Sequence, residues 1–305
     1  MSSTLAVDPG MHLPNLPEQH RVHAVLRGRL PEPPYPQLEI EDAPHAYWPA
    51  EMFGLERVWL YRHSAPSLQR AVLEHCGRSL LEEAYFIEKA GISFAALMVL
   101  LGETVEERML YAMFASEEVR HFDGVRSFMH GPIPQRAEGS FLTLLSDVIS
   151  CSDRATLQLT IQVVLEGWGL SHYRTLRDGC LDASLKQLLD GILLDEAGHH
   201  GSGRVFFSTH TVDEQALTRI EDVVAPMLRM VQLGPQAVLS ALDQAHGGLR
   251  RTQRVRVFKE LEGSRHAQLR LEQLRQLLRF ESLRPLVARL ESRTLFSPLA
   301  PEDCV

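Results

Sequence analysis

The 305-residue chain is predicted to be all-α: a four-helix bundle made of two helical hairpins, with a Pro-rich N-terminal leader and extra C-terminal helices. Three observations predict this. Apolar residues recur at helical spacing over four long stretches. No stretch sustains the apolar–polar alternation of a sheet. The two hairpins also overlay without a gap when the chain is slid by 78 residues. The organisation that follows is a leader over 1–64, the bundle over 65–210 and accessory helices over 211–305.

The leader is irregular because ten of the 17 prolines fall within the first 66 residues, Pro31, Pro33, Pro34 and Pro36 among them. Proline prevents extended helix or central strand. Tyr47, Trp48, Phe53, Trp59 and Tyr61 give its second half apolar surface to bury, so that half is expected to pack on the body. The first helix runs from Pro66 to Leu101. Leu80, Glu83, Ile87, Ala90, Phe94 and Leu97 form one stripe, and Leu81, Tyr85, Glu88, Ile92, Ala95 and Val99 the next, which makes a broad buried face. Gly102 ends this helix, and Thr104 with Glu107 reads as a capping box for a second, reaching about His130. Gly131-Pro132-Ile133-Pro134 stops it. A polar link and a short piece from Phe141 to Ile149 lead to a third helix, with Ser152 as N-cap and Asp178 at its end. The fourth spans Ala183 to Ser208. Helical patterns then cover Glu214–Val231, Pro235–Asp243 and much of Arg251–Leu290.

Composition narrows the function. A net charge of −8 gives no reason to expect nucleic acid. No apolar run approaches the roughly 18–20 residues that span a membrane. Met1 to Pro14 lacks both the basic start and the apolar core of a signal peptide. Cys76, Cys151, Cys180 and Cys304 are scattered with no C-x-x-C, which suits a reduced, cytoplasmic setting. The segment 249–293 carries eleven Arg and one Lys against five Glu. It is either a solvated outer face whose Leu271, Leu274, Leu277 and Leu278 pack inward, or a docking surface for an acidic partner such as an electron-transfer protein or carrier.

The chemistry sits in the repeat. Glu118 and His121 are three residues apart, as are Glu196 and His199, so each pair shares one helix face. Each pair has a Glu 30 residues upstream, Glu88 and Glu166. All six coincide under the shift, as do Gly91 and Gly169. Four carboxylates with two imidazoles suit iron or manganese, and four negative charges balance two divalent ions. Set among Leu, Ile, Val and Phe, such carboxylates are intolerable without metal. Glu83 lies on an equally apolar stripe and competes with Glu88 as the first-helix ligand. Gly91, Gly169 and Trp168 either serve close helix contact or leave room for O2 or substrate beside the metals.

These residues make the chain resemble the ferritin-like diiron carboxylate superfamily, which includes ribonucleotide reductase small subunits, multicomponent monooxygenases, acyl-carrier desaturases and rubrerythrins. The resemblance covers about 66–210. It implies that Glu88, Glu118 and His121 hold mainly one iron, and Glu166, Glu196 and His199 the other, with Fe/Fe or Mn/Fe occupancy. It also implies that Glu117 and Asp195 hydrogen-bond the ligand histidine of the opposite hairpin. Departures prune the subfamily. Val125 stands where the reductase subunits carry their radical tyrosine, although Tyr85, Tyr111 and Tyr173 lie near the expected site. Ile192 stands where the arylamine oxygenases carry a third histidine, and His200 points away from the ligand face. No Cys-rich iron domain is present.

The resulting expectation is an O2-activating non-haem diiron oxygenase or oxidase, with O2 as co-substrate and a small organic molecule as substrate. Hydroxylation, N-oxygenation, desaturation and oxidative cleavage are all open to it. An external electron donor such as a ferredoxin or reductase is expected, and by analogy a homodimer using the leucine-rich C-terminal helix. The alternative is a ferroxidase or peroxide-scavenging protein.

Overall fold

The structure, a computed structural model, describes residues 10–17, 19–30, 46–131, 139–151 and 153–305. Helix is the regular structure of these residues, and no strand occurs among them. Two short helices, α1 (Val22–Arg27) and α2 (Trp59–Arg62), precede the long α3 (Pro66–Leu101) and α4 (Val105–Ser127). After α5 (Ser140–Ser150), one continuous helical run begins as α6 (Arg154–Leu157). It widens into a π-helix over Gln158–Leu165 and resumes α geometry as α7 (Glu166–Gly179). Then come α8 (Ala183–Ser208), α9 (Glu214–Gln232), α10 (Gln236–Ala245), α11 (Arg251–Glu260), α12 (Gly263–Leu277) and α13 (Arg284–Ser292). α3 and α4 pack as one hairpin, the π-containing run and α8 as the other, and α4 meets α8 between them.

Local chemistry sets the helix starts. Pro66 opens α3 at a position whose N–H would have no partner in any case. The expected capping box begins α4: Thr104 Oγ1 accepts the Glu107 N–H at 3.1 Å, and Glu107 Oε2 accepts the Thr104 N–H at 3.3 Å. The third helix is capped one residue later than expected, by Asp153, whose Oδ2 accepts the Thr156 N–H at 3.0 Å. Ser152, the Pro132–Pro134 stop and the prolines from Pro31 to Pro36 lie outside the described residues. The long C-terminal pattern is broken into α11, α12 and α13; Glu262, with φ of 52°, turns the chain into α12.

Three apolar clusters hold the molecule together. The largest joins α3, α4, α5, α7 and α8. A second packs Leu159, Val163, Val164 and Phe207 of the second hairpin against α9, α12 and α13. The third binds Leu55, Val58 and Tyr61 of the leader to α10, α11 and the first half of α3. Leu271, Leu274 and Leu278 are buried in their own chain and Leu277 packs against the same cluster, which is the inward-packing arrangement. Around them the basic face is neutralised locally, for example by Arg254–Asp243, Arg275–Glu291, Arg289–Glu221 and Arg293–Glu221.

Among the described residues α3 is the one helix long and apolar enough, by length and composition, to cross a membrane, although Glu88 and Lys89 interrupt its apolar run. Half of its most apolar stretch is buried inside the protein, and α3 carries Glu88 into a polar cluster. Residues 46–64 of the leader pack on the body. Trp48 is 1% exposed and donates its indole N–H to the Leu176 carbonyl at 2.8 Å, while Tyr47 O accepts the Leu181 N–H at 2.8 Å. Replacing Trp48 with Ala empties a large site at the second hairpin. We expect it to lower unfolding free energy by about 3–5 kcal/mol in urea titrations; a loss under about 1 kcal/mol would mean that this docking contributes little.

Candidate metal centre

Four helices deliver the six side chains. α3 supplies Glu88, α4 supplies Glu118 and His121, Glu166 is the first residue of α7, and α8 supplies Glu196 and His199. One ligand atom each from Glu88, Glu118, His121 and Glu196 lie within 4.8 Å of one another, and so do those of Glu166, Glu196 and His199. The expected partition into two triads is therefore looser than the resemblance implies. Glu196 belongs to both groups, and Glu118 reaches His199 as well as His121. Carboxylates shared in this way are suited to bridging two cations.

The histidines are held in register from outside. His121 Nε2–H donates to Asp195 Oδ2 at 3.1 Å, and His199 Nε2–H donates to Glu117 Oε2 at 2.8 Å, each across to the other hairpin as expected. With the proton on Nε2, each Nδ1 turns its lone pair inward. His121 Nδ1 faces Glu88 Oε2 at 3.4 Å and Glu196 Oε1 at 3.6 Å; His199 Nδ1 faces Glu118 Oε1 at 3.3 Å and Glu196 Oε1 at 3.6 Å. A lone pair facing carboxylate oxygens in a dry interior is unfavourable unless a cation or a proton lies between them. His121 Nδ1 and Glu166 Oε2 are also buried with no hydrogen-bond partner. Four carboxylates, two imidazole lone pairs and these orphaned atoms fit a pair of iron or manganese ions.

Without metal, protons must do this work. Burial, together with the neighbouring Glu196 and Glu88, pushes Glu118 up to about 8, against a hydrogen bond from His199 that pulls it down. Burial pushes His199 down, but hydrogen bonds to Glu118 and Glu196 outweigh it and lift the ring to about 12. Burial and the surrounding carboxylates likewise hold Glu166 well above the usual carboxylate range.

The remaining candidates separate by position. Glu83 is outside both ligand groups and lines a cavity instead, which leaves Glu88 as the α3 carboxylate of the cluster. Tyr85 does not line that cavity; its hydroxyl pairs with Asn15 at 2.9 Å. Tyr173 donates its hydroxyl to Glu88 Oε1. His200 donates Nδ1–H to the Gln162 carbonyl at 3.1 Å, a structural role. The two repeated glycines differ. A Cβ at Gly91 would collide with the Glu118 carboxylate, so glycine there is what admits a cluster residue, whereas nothing stands within 4 Å of a Cβ at Gly169, which borders the cavity. Close helix contacts occur also at Gly203, where a Cβ would strike the Gln162 side chain, and at Gly167, where it would strike His200 and Leu277.

The π-helix is absent from the sequence reading. Gln158, Leu159, Thr160, Ile161, Gln162, Val163 and Val164 are all buried, so the stretch has no polar side to reveal its period. Long π segments are rare and occur mostly at functional sites. This one ends at Glu166 and carries two glutamines into the interior. Gln158 Nε2 donates to Tyr111 Oη at 3.0 Å, Tyr111 Oη–H donates to Gln162 Oε1 at 2.7 Å, and Gln162 Nε2 donates to the His199 carbonyl at 3.3 Å. A buried Gln in an apolar run was the available signal.

Beside the cluster lies a cavity of about 460 Å³. Glu88, Glu118, Glu166 and Glu196 form one end, and Ile87, Phe94, Leu145, Ile149, Ile161 and Leu165 are among its apolar walls. Trp168 and Gly169 line it, as the sequence suggested. Access from this cavity explains why Glu166, though surrounded by protein, is only half-buried. Comparison with protein-family models, with curated proteins and with solved structures finds no match to this chain.

The cluster's proton demand sets a pH dependence. A carboxyl raised from its usual 4.5 to about 8 favours folding while protonated, and that contribution is lost as the pH climbs to about 8. A histidine raised from 6.5 to about 12 favours folding fully below 6.5 and loses the contribution on the way to 12. The two signs agree above neutrality. The urea midpoint of the metal-free protein is expected to fall between about pH 7 and pH 9, and bound metal to flatten the slope. A midpoint that rises over that interval would contradict the arrangement.

Proposed function

We propose that the chain is a ferritin-like four-helix-bundle protein holding two iron ions, or one manganese and one iron, and that it is an O2-activating oxygenase or oxidase of a small organic molecule. The observation that carries this reading is the six-residue Glu/His cluster opening onto an apolar cavity of about 460 Å³. Glu88, Glu118, Glu166, Glu196, His121 and His199 would hold the ions. When bound, the metals supply the electrons and Lewis acidity that the reduction of O2 demands.

The chain's own residues do the rest. Asp195 and Glu117 fix the tautomer of the two histidines, so each Nδ1 stays available. Tyr173 holds its hydroxyl proton on Glu88 Oε1, which limits where that carboxylate can turn. Phe94, Ile149 and Ile161 keep bulk water from the cluster and leave room for an apolar substrate. Arg120, on the outer side, approaches both Asp195 (3.6 Å) and Glu117 (3.9 Å). An external electron donor such as a ferredoxin or reductase, docked on this face, would lie beside the carboxylates that hold the two histidines.

A cavity this apolar favours an organic substrate over Fe(II) or peroxide as the molecule oxidised. The test is to load the protein with Fe(II) anaerobically, mix with O2, and follow O2 uptake and stopped-flow absorbance. Uptake of about one O2 per two irons with a transient visible band is expected. Loaded protein that consumes no O2 would refute the proposal, and sustained oxidation of excess Fe(II) would favour the ferroxidase reading.

A further inference from the structure

Besides the cluster the cavity has a second set of polar groups, and their chemistry points to one kind of substrate. Glu83 on α3, His172 on α7, and His266, Arg270 and Gln273 on α12 line it, and His266 and Arg270 are exposed, which puts them where it opens. Seven of the eleven arginines in the basic C-terminal segment pair with a glutamate or aspartate of the same chain within 4 Å; Arg270 is one of four that do not among the described residues, and of those four it alone lines the cavity. Its guanidinium lies instead over the Trp168 ring, 5.8 Å from the centroid, and Trp168 is itself a wall of the cavity.

Resting on the proposed function, we infer that this enzyme takes an amphipathic carboxylic acid, whose carboxylate is bound by Arg270 at the mouth and whose apolar body extends towards the Glu/His cluster. Arg is the residue whose planar fork matches a carboxylate bidentately, and stacking on Trp168 holds the fork in place. The neighbours suit an anion. Burial pushes the His172 ring down to about 4, with Arg270 adding to the effect, so it adds no competing charge. Burial also raises the Glu83 carboxyl above the usual carboxylate range, with the Arg270 charge pulling the other way. Between mouth and cluster the walls are apolar, and a carboxylate elsewhere in the cavity would lose its solvation without a partner. Cavities of this size bury most of a medium-sized organic molecule.

The probes are octanoate, octan-1-ol and octylamine, which share a chain and differ in the head group. Binding is measured by calorimetry on wild-type protein and on R270Q and R270K, each with its metal content determined in parallel and each tested anaerobically with Fe(II) and metal-free. Octanoate is expected to bind at least about tenfold more tightly than octanol or octylamine. R270Q should abolish that preference with metal content unchanged, and R270K should keep part of it. Equal binding of all three probes, a preference for octylamine, or a preference for octanoate that survives R270Q would overturn the inference. The last outcome would mean that the carboxylate binds at the metals. Failure of the diiron reading looks different: no metal would bind, while R270-dependent octanoate binding to the metal-free protein would persist.

Discussion

Three buried carboxylates and a half-buried fourth are gathered against two inward-facing imidazole nitrogens, and the rest of the structure is arranged around that concentration of charge. Glu88 and His199 are each 1% exposed. In such surroundings uncompensated charge costs several kcal/mol per group, so the cluster must hold cations or protons in every folded state. This is why the outer edges of both histidines are tied to Asp195 and Glu117. The ties leave each Nδ1 with a single use. It is also why Gly91 cannot carry a side chain, since the space beside it is taken by Glu118.

The repeat is symmetric in its ligands and asymmetric in what surrounds them. On the α3–α4 side, Gly91 closes against Glu118. On the other side, Gly169 faces open space, and Glu166 is reached from the cavity. The π-helix before Glu166 has no counterpart in α3, which is α-helical throughout. Its glutamines brace the His199 carbonyl through Tyr111 and Gln162. Two hairpins with matching ligands thus differ in the shell behind them, while both line the apolar chamber, Gly91 as well as Gly169. α12 adds His266, Leu269, Arg270 and Gln273 to that lining.

Much of this was legible from sequence because the signals are local or repeated. The capping box at Thr104, the four long helices and the six cluster residues rest on periodicity and on a 78-residue shift. The crossed ties from Asp195 and Glu117 followed from position next to a ligand glutamate. What escaped depends on tertiary neighbours. Gln158 to Val164 are buried on all sides, so no hydrophobic period marks the change from α to π. Tyr85 shares a stripe with Glu88, yet Asn15 from the leader claims its hydroxyl. Arg270 read as one of eleven arginines on a basic face until the fold set it beside Trp168. The apolar end of α3 shows the converse: its composition suits a membrane, but its packing partners place it in the core.

The central claim is that these six side chains form one site for two ions, with Glu118 and Glu196 shared between them. Elemental analysis after anaerobic Fe(II) loading and desalting, on wild type and on E118A and E196A, tests it most directly. The account predicts two irons per chain in the wild type and a loss of both ions, not of one, in either variant that still folds by circular dichroism. One metal per chain, or two that survive both substitutions, would contradict it.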